Sequence, residues 1–170
     1  DYDYYFDNSL DMNSLLSDLN TVDAWLFRFG IDYKKISEDK KYNLLNLNKY
    51  KPQDSLFSKI TQAKRRGKLL LFHPYSANVN KSIPQNIAIE LLKELLLKLE
   101  DYIVVSTLLL DSKIKDDNYI DLSKESKTIE DFSYIISLVD KIITADTSTY
   151  HISDAFMIPT IVIFTDSNFG

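Results

Sequence analysis

The sequence of 170 residues contains no cysteine, only three glycines and only two histidines. The absence of cysteine excludes disulfide bonds, thiolate metal sites and cysteine nucleophiles. Two histidines far apart in the sequence do not favour a zinc site, and we expect neither a metal nor a cofactor. No G-x-G-x-x-G, Walker or G-x-S-x-G motif is present. Rossmann dehydrogenases, P-loop NTPases and serine hydrolases are therefore disfavoured.

Positive charge and long apolar runs are also scarce. The net charge of -5 argues against a protein that mainly binds nucleic acid, because a phosphate backbone requires a basic surface. The basic run 64–66 is explained more simply as cations at the end of a helix. No stretch reaches the roughly 18 apolar residues of a membrane span, and no signal peptide is recognisable. We therefore expect a cytoplasmic protein. The sequence starts without methionine and stops just after a predicted strand, which suggests a piece of a longer chain.

The residues that are present predict a folded domain with alternating strands and helices. Hydrophobic residues make up 45% and charged residues 26%, a globular composition. Apolar positions at helical spacing predict helices, and short continuous apolar runs predict buried strands. The predicted helices are 11–29, 54–66, 84–100, 128–139 and 148–157. The predicted strands are 68–72, 102–107, 119–122, 141–145 and 160–164, with a further short strand considered at 42–48.

This alternation is typical of a Rossmann-like, doubly wound parallel sheet, an α/β fold. Right-handed crossovers place every loop that leads from a strand to a helix at one edge of the sheet. Ligands of open α/β sheets bind at that edge. The loops expected there are 73–83, 108–118, 145–149 and 165–170.

The loop that begins at Asp146 carries the most informative polar residues. Asp146, Thr147 and Ser148 lie between a buried strand and a helix, where unpaired backbone amides and the helix dipole favour phosphate. His151 follows at a spacing that puts it within one turn of Thr147 and Ser148. The alternative is that these residues serve only as a helix cap and an exposed helical side chain, and this helix alone leaves both interpretations open.

The loop after the first strand of the sheet supplies a cation. Lys81 precedes the next helix, and its ammonium is close enough to bind a phosphate held at the neighbouring loop. We interpret His73 first as a structural residue that hydrogen-bonds loop backbone. Ser76 and Asn78 are turn residues first and ligands second.

Two segments together resemble glycosyltransferase family 9, the heptosyltransferases of lipopolysaccharide core synthesis. They are "FHPYSANVNKSIP" and "TIEDFSYIISLVDKIITADTSTYHISDAFMIPTIVIF", and the resemblance covers about residues 68 to 170. The family pattern has "HPG(A/S)" and a lysine before "WP", a helix opening like 128–130, then "D(T/S)G(x)(x)H" and a proline before a strand. In this sequence the matching residues are His73, Pro74, Lys81, Asp146, Thr147, His151 and Pro159.

The resemblance implies the carboxy-terminal half of a GT-B glycosyltransferase, with residues 1–67 as the end of the amino-terminal half plus linker helices and 68–170 as the nucleotide-sugar-binding domain. It implies a nucleotide-diphosphate sugar donor, with ADP-heptose favoured, and inverting, metal-independent transfer to a lipopolysaccharide or other glycan or lipid-linked acceptor in bacteria. Such an enzyme works in the cytoplasm, with peripheral contact with the inner membrane as an option. The family's catalytic base would lie upstream of Asp1.

Carried over by position, the resemblance gives roles to individual residues. Lys81 and the loop with Thr147 and Ser148 would hold the diphosphate, Asp146 would hydrogen-bond the donor sugar, and His151 would line the same pocket. Ser76 would lie in the substrate loop. Asp111, in the loop after the second strand, would match the family's acidic ribose contact, loosely.

Two positions depart from the family pattern. Tyr75 and Ser148 replace glycines that allow close backbone approach to a ligand. These departures keep two alternatives open: a non-catalytic α/β nucleotide-binding module that retains the fold, and a sugar-nucleotide epimerase of GT-B architecture.

Overall fold

The computed structural model of the chain describes residues 19–42, 44–111 and 113–165. The chain forms two compact units, Asp1–Tyr42 and Asn43–Gly170. In the described part of the first unit, a helix, α1 (Thr21–Arg28), begins at the N-cap Asn20. The Lys41 ammonium lies 2.8 Å from the Asp23 carboxylate and 2.7 Å from the Glu38 carboxylate.

The second unit contains one parallel sheet of five strands in the order β3-β2-β1-β4-β5. Each strand is short and rich in apolar residues, as expected of strands that are covered on both faces. The order reverses direction between β1 and β4, so the sheet is doubly wound, as the sequence predicts. The strands are β1 (Lys68–His73), β2 (Tyr102–Ser106), β3 (Tyr119–Asp121), β4 (Lys141–Ala145) and β5 (Thr160–Ile163).

Helices cover both faces of this sheet because alternate strand residues point to opposite sides. Leu69 and Leu71 pack under α2, α4 and α5, whereas Leu70 and Phe72 pack under α3. All four side chains are buried almost completely. The helices are α2 (Asp54–Arg66), α3 (Gln85–Lys98), α4 (Ile129–Leu138) and α5 (Ser148–Ala155).

The start of α4 is fixed by a capping box. The Thr128 hydroxyl accepts the Asp131 backbone N–H, and the Asp131 carboxylate accepts the Thr128 N–H. Tyr50, in the segment before α2, donates its hydroxyl hydrogen to the same carboxylate. Asp131 is buried, so these donors satisfy a carboxylate that would otherwise destabilise the fold.

The structure differs from the sequence prediction at several boundaries. Residues 44–48 form no strand, so a strand at 42–48 is not observed in the part that is described. The predicted helix 11–29 appears as Thr21–Arg28, and its first residues, 11–18, lie outside the described residues. The last predicted loop likewise falls outside them from residue 166 onward.

The helix α2 belongs to the sheet unit. Leu56, Ile60 and Ala63 recur on one face of α2 and are buried against the sheet. The compact unit Asn43–Gly170 accordingly includes α2, because the sheet needs this amphipathic helix to cover its strands. No helix in the described part of the chain is long and apolar enough to cross a membrane.

Candidate functional site

The carboxyl ends of β1 and β4 form the point where the strand order reverses. His73, the last residue of β1, is paired in register with Thr144 of β4. Crossovers leave these two strands in opposite directions, so the loops that follow them flank a crevice at the edge of the sheet. The loop after β1 runs to Pro84, and the loop after β4 is Asp146 and Thr147.

Lys81 and Asp146 meet across this crevice. The Lys81 Nζ lies 2.7 Å from the Asp146 Oδ2. The Lys81 side chain is 47% exposed and the Asp146 side chain 23%, so solvent and ligands can reach both charges. A cation and a carboxylate from separate loops therefore lie at the place where α/β sheets bind their ligands.

The loop that carries Lys81 is held by a network of its own polar residues. The Ser82 hydroxyl accepts the Ser76 backbone N–H at 2.8 Å and donates to the Ser76 carbonyl at 3.2 Å. The Asn78 side chain accepts the Asn80 N–H at 3.1 Å and so begins a short 3-10 turn, Val79–Lys81. Ser76 is thus engaged in loop structure, the first of the two roles that the sequence suggests for it.

The beginning of α5 follows Asp146 directly. The Thr147 hydroxyl accepts the Thr149 backbone N–H at 3.0 Å as the N-cap and donates to the buried Thr149 hydroxyl at 2.7 Å. Ser148 is exposed in the first turn of the helix. The positive end of the α5 dipole therefore lies beside the Lys81 and Asp146 pair.

His151 is exposed on α5, and its ring contacts the Tyr150 ring in a tilted arrangement with centroids 3.8 Å apart. Tyr150 is partly buried. Burial raises the pKa of the Tyr150 phenol, and the Asp146 carboxylate raises it further, while the Lys81 ammonium opposes this. Tyr150 thus belongs to the electrostatic environment of the ion pair, although the sequence analysis did not single it out.

His73 serves mainly to join three strand ends. Its Nδ1 lies 3.0 Å from the Thr107 Oγ1 after β2, and its carbonyl accepts the Thr144 hydroxyl at 3.0 Å. The ring also packs on Phe132 of α4, with centroids 5.1 Å apart. Burial lowers the pKa of His73 to about 4, so the ring is neutral at pH 7. These contacts agree with the structural role that the sequence suggests for His73. The ring nitrogen, however, contacts the Thr107 hydroxyl rather than the loop backbone.

Asp111 lies in the loop after β2, where its carboxylate accepts the Lys113 backbone N–H at 2.9 Å. This contact is an Asx turn within the loop. The loop borders a surface cavity of about 710 Å³, which is lined by Asp111, Lys93 and Lys113 among others. Asp111 is therefore placed by its own loop, whereas Lys81 and Asp146 are placed by contact with each other.

The sequence-predicted site residues thus fall into three groups. Lys81 and Asp146 are in contact, and Thr147, Ser148 and His151 follow on the first turn of α5. Ser76 supports the Lys81 loop, and Asp111 lies after a different strand. Sequence reasoning missed Tyr150, Thr107 and Thr144, because a hydroxyl at a strand end gives no signal until its neighbours are known.

Among residues 19–42, 44–111 and 113–165, no group of three or more histidine, aspartate or glutamate side chains could hold a metal ion.

No family model matches the chain, and a search of curated proteins gives no significant match. Solved structures that are similar in fold include the Escherichia coli ADP-heptose LPS heptosyltransferase II, with 15% identity and a TM-score of 0.48 over 67% of this chain and 38% of that chain. The E. coli heptosyltransferase WaaC with ADP matches at 14% identity and a TM-score of 0.48, over 61% of this chain and 35% of that chain.

The same enzyme with ADP-2-deoxy-2-fluoro heptose matches over 87% of this chain and 45% of that chain, at 11% identity and a TM-score of 0.48. The chain therefore spans less than half the length of each of these proteins. All three are heptosyltransferases, the family that the sequence motifs resemble. Because the identities and TM-scores are low, the function proposed below depends on the residues at the crevice and their resemblance to the family motifs.

Proposed function

We propose that the chain is the nucleotide-sugar-binding part of a glycosyltransferase of the GT-B type. The observation that carries the proposal is the Lys81 and Asp146 pair, 2.7 Å apart, at the reversal of the strand order and beside the start of α5. The residues in contact are those that the family resemblance assigns to the donor. They lie in loops that are far apart in sequence and adjacent in the fold.

The chemistry of transfer fits these groups. Breaking the bond between a sugar and a diphosphate builds negative charge on the leaving phosphates. A lysine ammonium, the hydroxyls of Thr147 and Ser148 and the positive end of a helix stabilise such charge. We assign the diphosphate to Lys81 and the first turn of α5, and a sugar hydroxyl to the Asp146 carboxylate.

The remaining assignments follow the family resemblance. The donor would be ADP-heptose, and transfer would invert the sugar configuration without a metal. The acceptor would be lipopolysaccharide or another surface glycan, and the base would come from a part of the enzyme upstream of Asp1. His151 would line the donor pocket, and Asp111 would contact the ribose. The enzyme would act in the bacterial cytoplasm, at the inner face of the inner membrane.

Thermal unfolding with and without nucleotide tests the proposal. We expect ADP to raise the Tm more than UDP or GDP does. A ligand at about one hundred times its Kd stabilises a protein by roughly 2.7 kcal/mol, which is several degrees for a chain of this size. Stabilisation by UDP or GDP instead would keep the transferase and change the donor.

Lys81→Ala is the variant that decides whether the crevice is the site. Loss of a charged hydrogen-bonding partner costs about 1.5 to 3 kcal/mol, so we expect ADP affinity to fall roughly 10-fold to 100-fold. Lys98→Ala is the matched control, because Lys98 is an exposed lysine in the last turn of α3, where it pairs with the exposed Glu94 carboxylate. Equal ADP affinity in the wild-type chain and in Lys81→Ala would contradict the proposed site.

A further inference from the structure

The Lys81 ammonium is already neutralised by a carboxylate in the place that we assign to the diphosphate. Asp146 Oδ2 lies 2.7 Å from Lys81 Nζ, within the range of a charge-assisted hydrogen bond. An incoming phosphate must therefore share this lysine with Asp146 or displace it. It must also approach a carboxylate of its own charge.

The pair is held in place by the backbone on both sides. The Ile83 N–H donates to the Pro74 carbonyl at 2.9 Å and closes the loop that carries Lys81. The Asn80 carbonyl, next to Lys81, accepts the Thr165 hydroxyl at 2.7 Å, which ties this loop to the chain after β5. Asp146 is fixed between the last residue of β4 and the N-cap of α5. The backbone on both sides is therefore held by the fold, which keeps the Lys81 and Asp146 side chains within reach of each other.

The surroundings of Tyr150 show which of the two charges dominates nearby. After burial, the Asp146 carboxylate is the larger electrostatic influence on the phenol, and it raises the pKa, while Lys81 has a smaller opposing effect. At this neighbouring position, the carboxylate outweighs the ammonium. A phosphate carries charge of the same sign as the Asp146 carboxylate, so Asp146 repels it while Lys81 attracts it.

We propose that Asp146 acts as a selectivity residue that disfavours bare phosphate compounds and favours a diphosphate joined to a sugar. A sugar hydroxyl can donate to the carboxylate and compensate for the repulsion of the phosphates, whereas pyrophosphate carries more negative charge and no sugar that could offset the repulsion. The inference rests on the proposed function and assigns to Asp146 the recognition of the sugar part of the ligand. It also gives Asp146 an effect opposite to that of Lys81 on simple anions.

Calorimetric titration of the wild-type chain, Asp146→Asn and Lys81→Ala with inorganic pyrophosphate tests this selectivity. Asn has nearly the same shape as Asp but carries no charge. We expect Asp146→Asn to bind pyrophosphate about 10-fold more tightly than the wild-type chain, and Lys81→Ala to bind it more weakly. Asp101→Asn makes the same change of charge at an exposed position beyond the opposite edge of the sheet and should leave pyrophosphate affinity unchanged.

Parallel titrations with an ADP-sugar separate this inference from the proposed function. We expect Asp146→Asn to bind ADP-glucose no more tightly than the wild-type chain, so that the preference for the sugar nucleotide over pyrophosphate falls about 10-fold. Pyrophosphate affinity that stays unchanged or decreases in Asp146→Asn would overturn the selectivity role. If the wild-type chain binds ADP-glucose and Lys81→Ala does not, that result would leave the proposed function intact. Failure of the wild-type chain and all variants to bind ADP-glucose would tell against the proposed function itself.

Discussion

The loops after β1 and β2 both leave the same edge of the sheet, and they are held in different ways. The loop after β1 is tied to other elements through Lys81, the His73 carbonyl and the Asn80 carbonyl. The loop after β2 is held largely by its own residues, since Asp111 and Asp116 each accept a backbone N–H two positions further on. The first loop therefore has ties to β4 and to the chain after β5 in addition to its own polar network. The second loop is held by local turns and by the Arg66 side chain, which donates to the Asp117 carbonyl.

The difference follows from the order of the strands. β1 lies between β2 and β4, and the chain crosses from β1 to β2 in one direction and from β4 to β5 in the other. The loops after β1 and β4 therefore converge, while the loop after β2 lies to one side. Convergence brings charges from separate parts of the sequence together, and this is why we place the ligand there.

The largest expected effect tests the tie between β1 and β4. Thr144 is buried, and its hydroxyl donates to the carbonyls of His73 and Ala145, each at 3.0 Å. Thr144→Val keeps the shape and removes the donor, so we expect the free energy of unfolding to fall by about 1 to 3 kcal/mol. Urea denaturation measures the loss, and ADP affinity should fall as the two loops lose their fixed spacing.

Ser106→Ala is the matching change in the second loop. The buried Ser106 hydroxyl donates to the Leu108 carbonyl at 2.6 Å, a contact within its own loop. This variant should lose stability with a smaller loss of ADP affinity than Thr144→Val, because the loop that it loosens carries Asp111 but neither Lys81 nor Asp146. Equal effects of the two variants on ADP affinity would remove the distinction between the loops.

A second prediction concerns the dependence of stability on pH. Burial lowers the pKa of His73 from 6.5 to about 4. Between these two pH values, His73 is protonated in the unfolded chain and neutral in the folded chain. The free energy of unfolding should therefore decrease as the pH falls through this window, by at most about 1.4 kcal/mol per pH unit from this residue. Urea denaturation at about pH 7, 6 and 5 measures the slope.

His73→Gln should remove this contribution and give a shallower slope than the wild-type chain. Thr107→Val should keep most of it, because burial rather than the hydrogen bond is the cause of the lowered pKa. If His73→Gln and the wild-type chain show the same slope between pH 7 and pH 5, His73 is not buried as described.

The smallest expected effect separates the two roles of Asp111. Asn can form the same turn as Asp, so Asp111→Asn should change the free energy of unfolding by no more than about 0.5 kcal/mol. A neutral oxygen is a weaker acceptor for a ribose hydroxyl, so we expect ADP affinity to fall about fivefold, well short of the effect of Lys81→Ala. Unchanged affinity would assign Asp111 to the turn alone.

Most helices and strands of the second unit could be predicted from the sequence. Buried strands appear as short apolar runs. Thr128 and Thr147 are typical N-cap residues and mark the starts of α4 and α5. The strand considered at 42–48 is not observed at residues 44–48. An apolar pattern forms a strand only where a neighbouring strand is available to pair with it. Residue type and the family motifs were enough to select Lys81, Asp146 and His151 as candidates. The distances between these side chains could not be predicted from the sequence.

The sequence by itself determined the alternation of strands and helices, the capped start of α5 and the supply of one lysine and one aspartate at strand ends. These features depend on neighbours in the chain, where hydrophobic period and side-chain capping act directly. Only the tertiary structure decided that β1 lies beside β4 and that Lys81 meets Asp146. Buried strands of similar composition do not specify their partners. The crossovers and the packing of helices on both faces select one order, and that order creates the crevice.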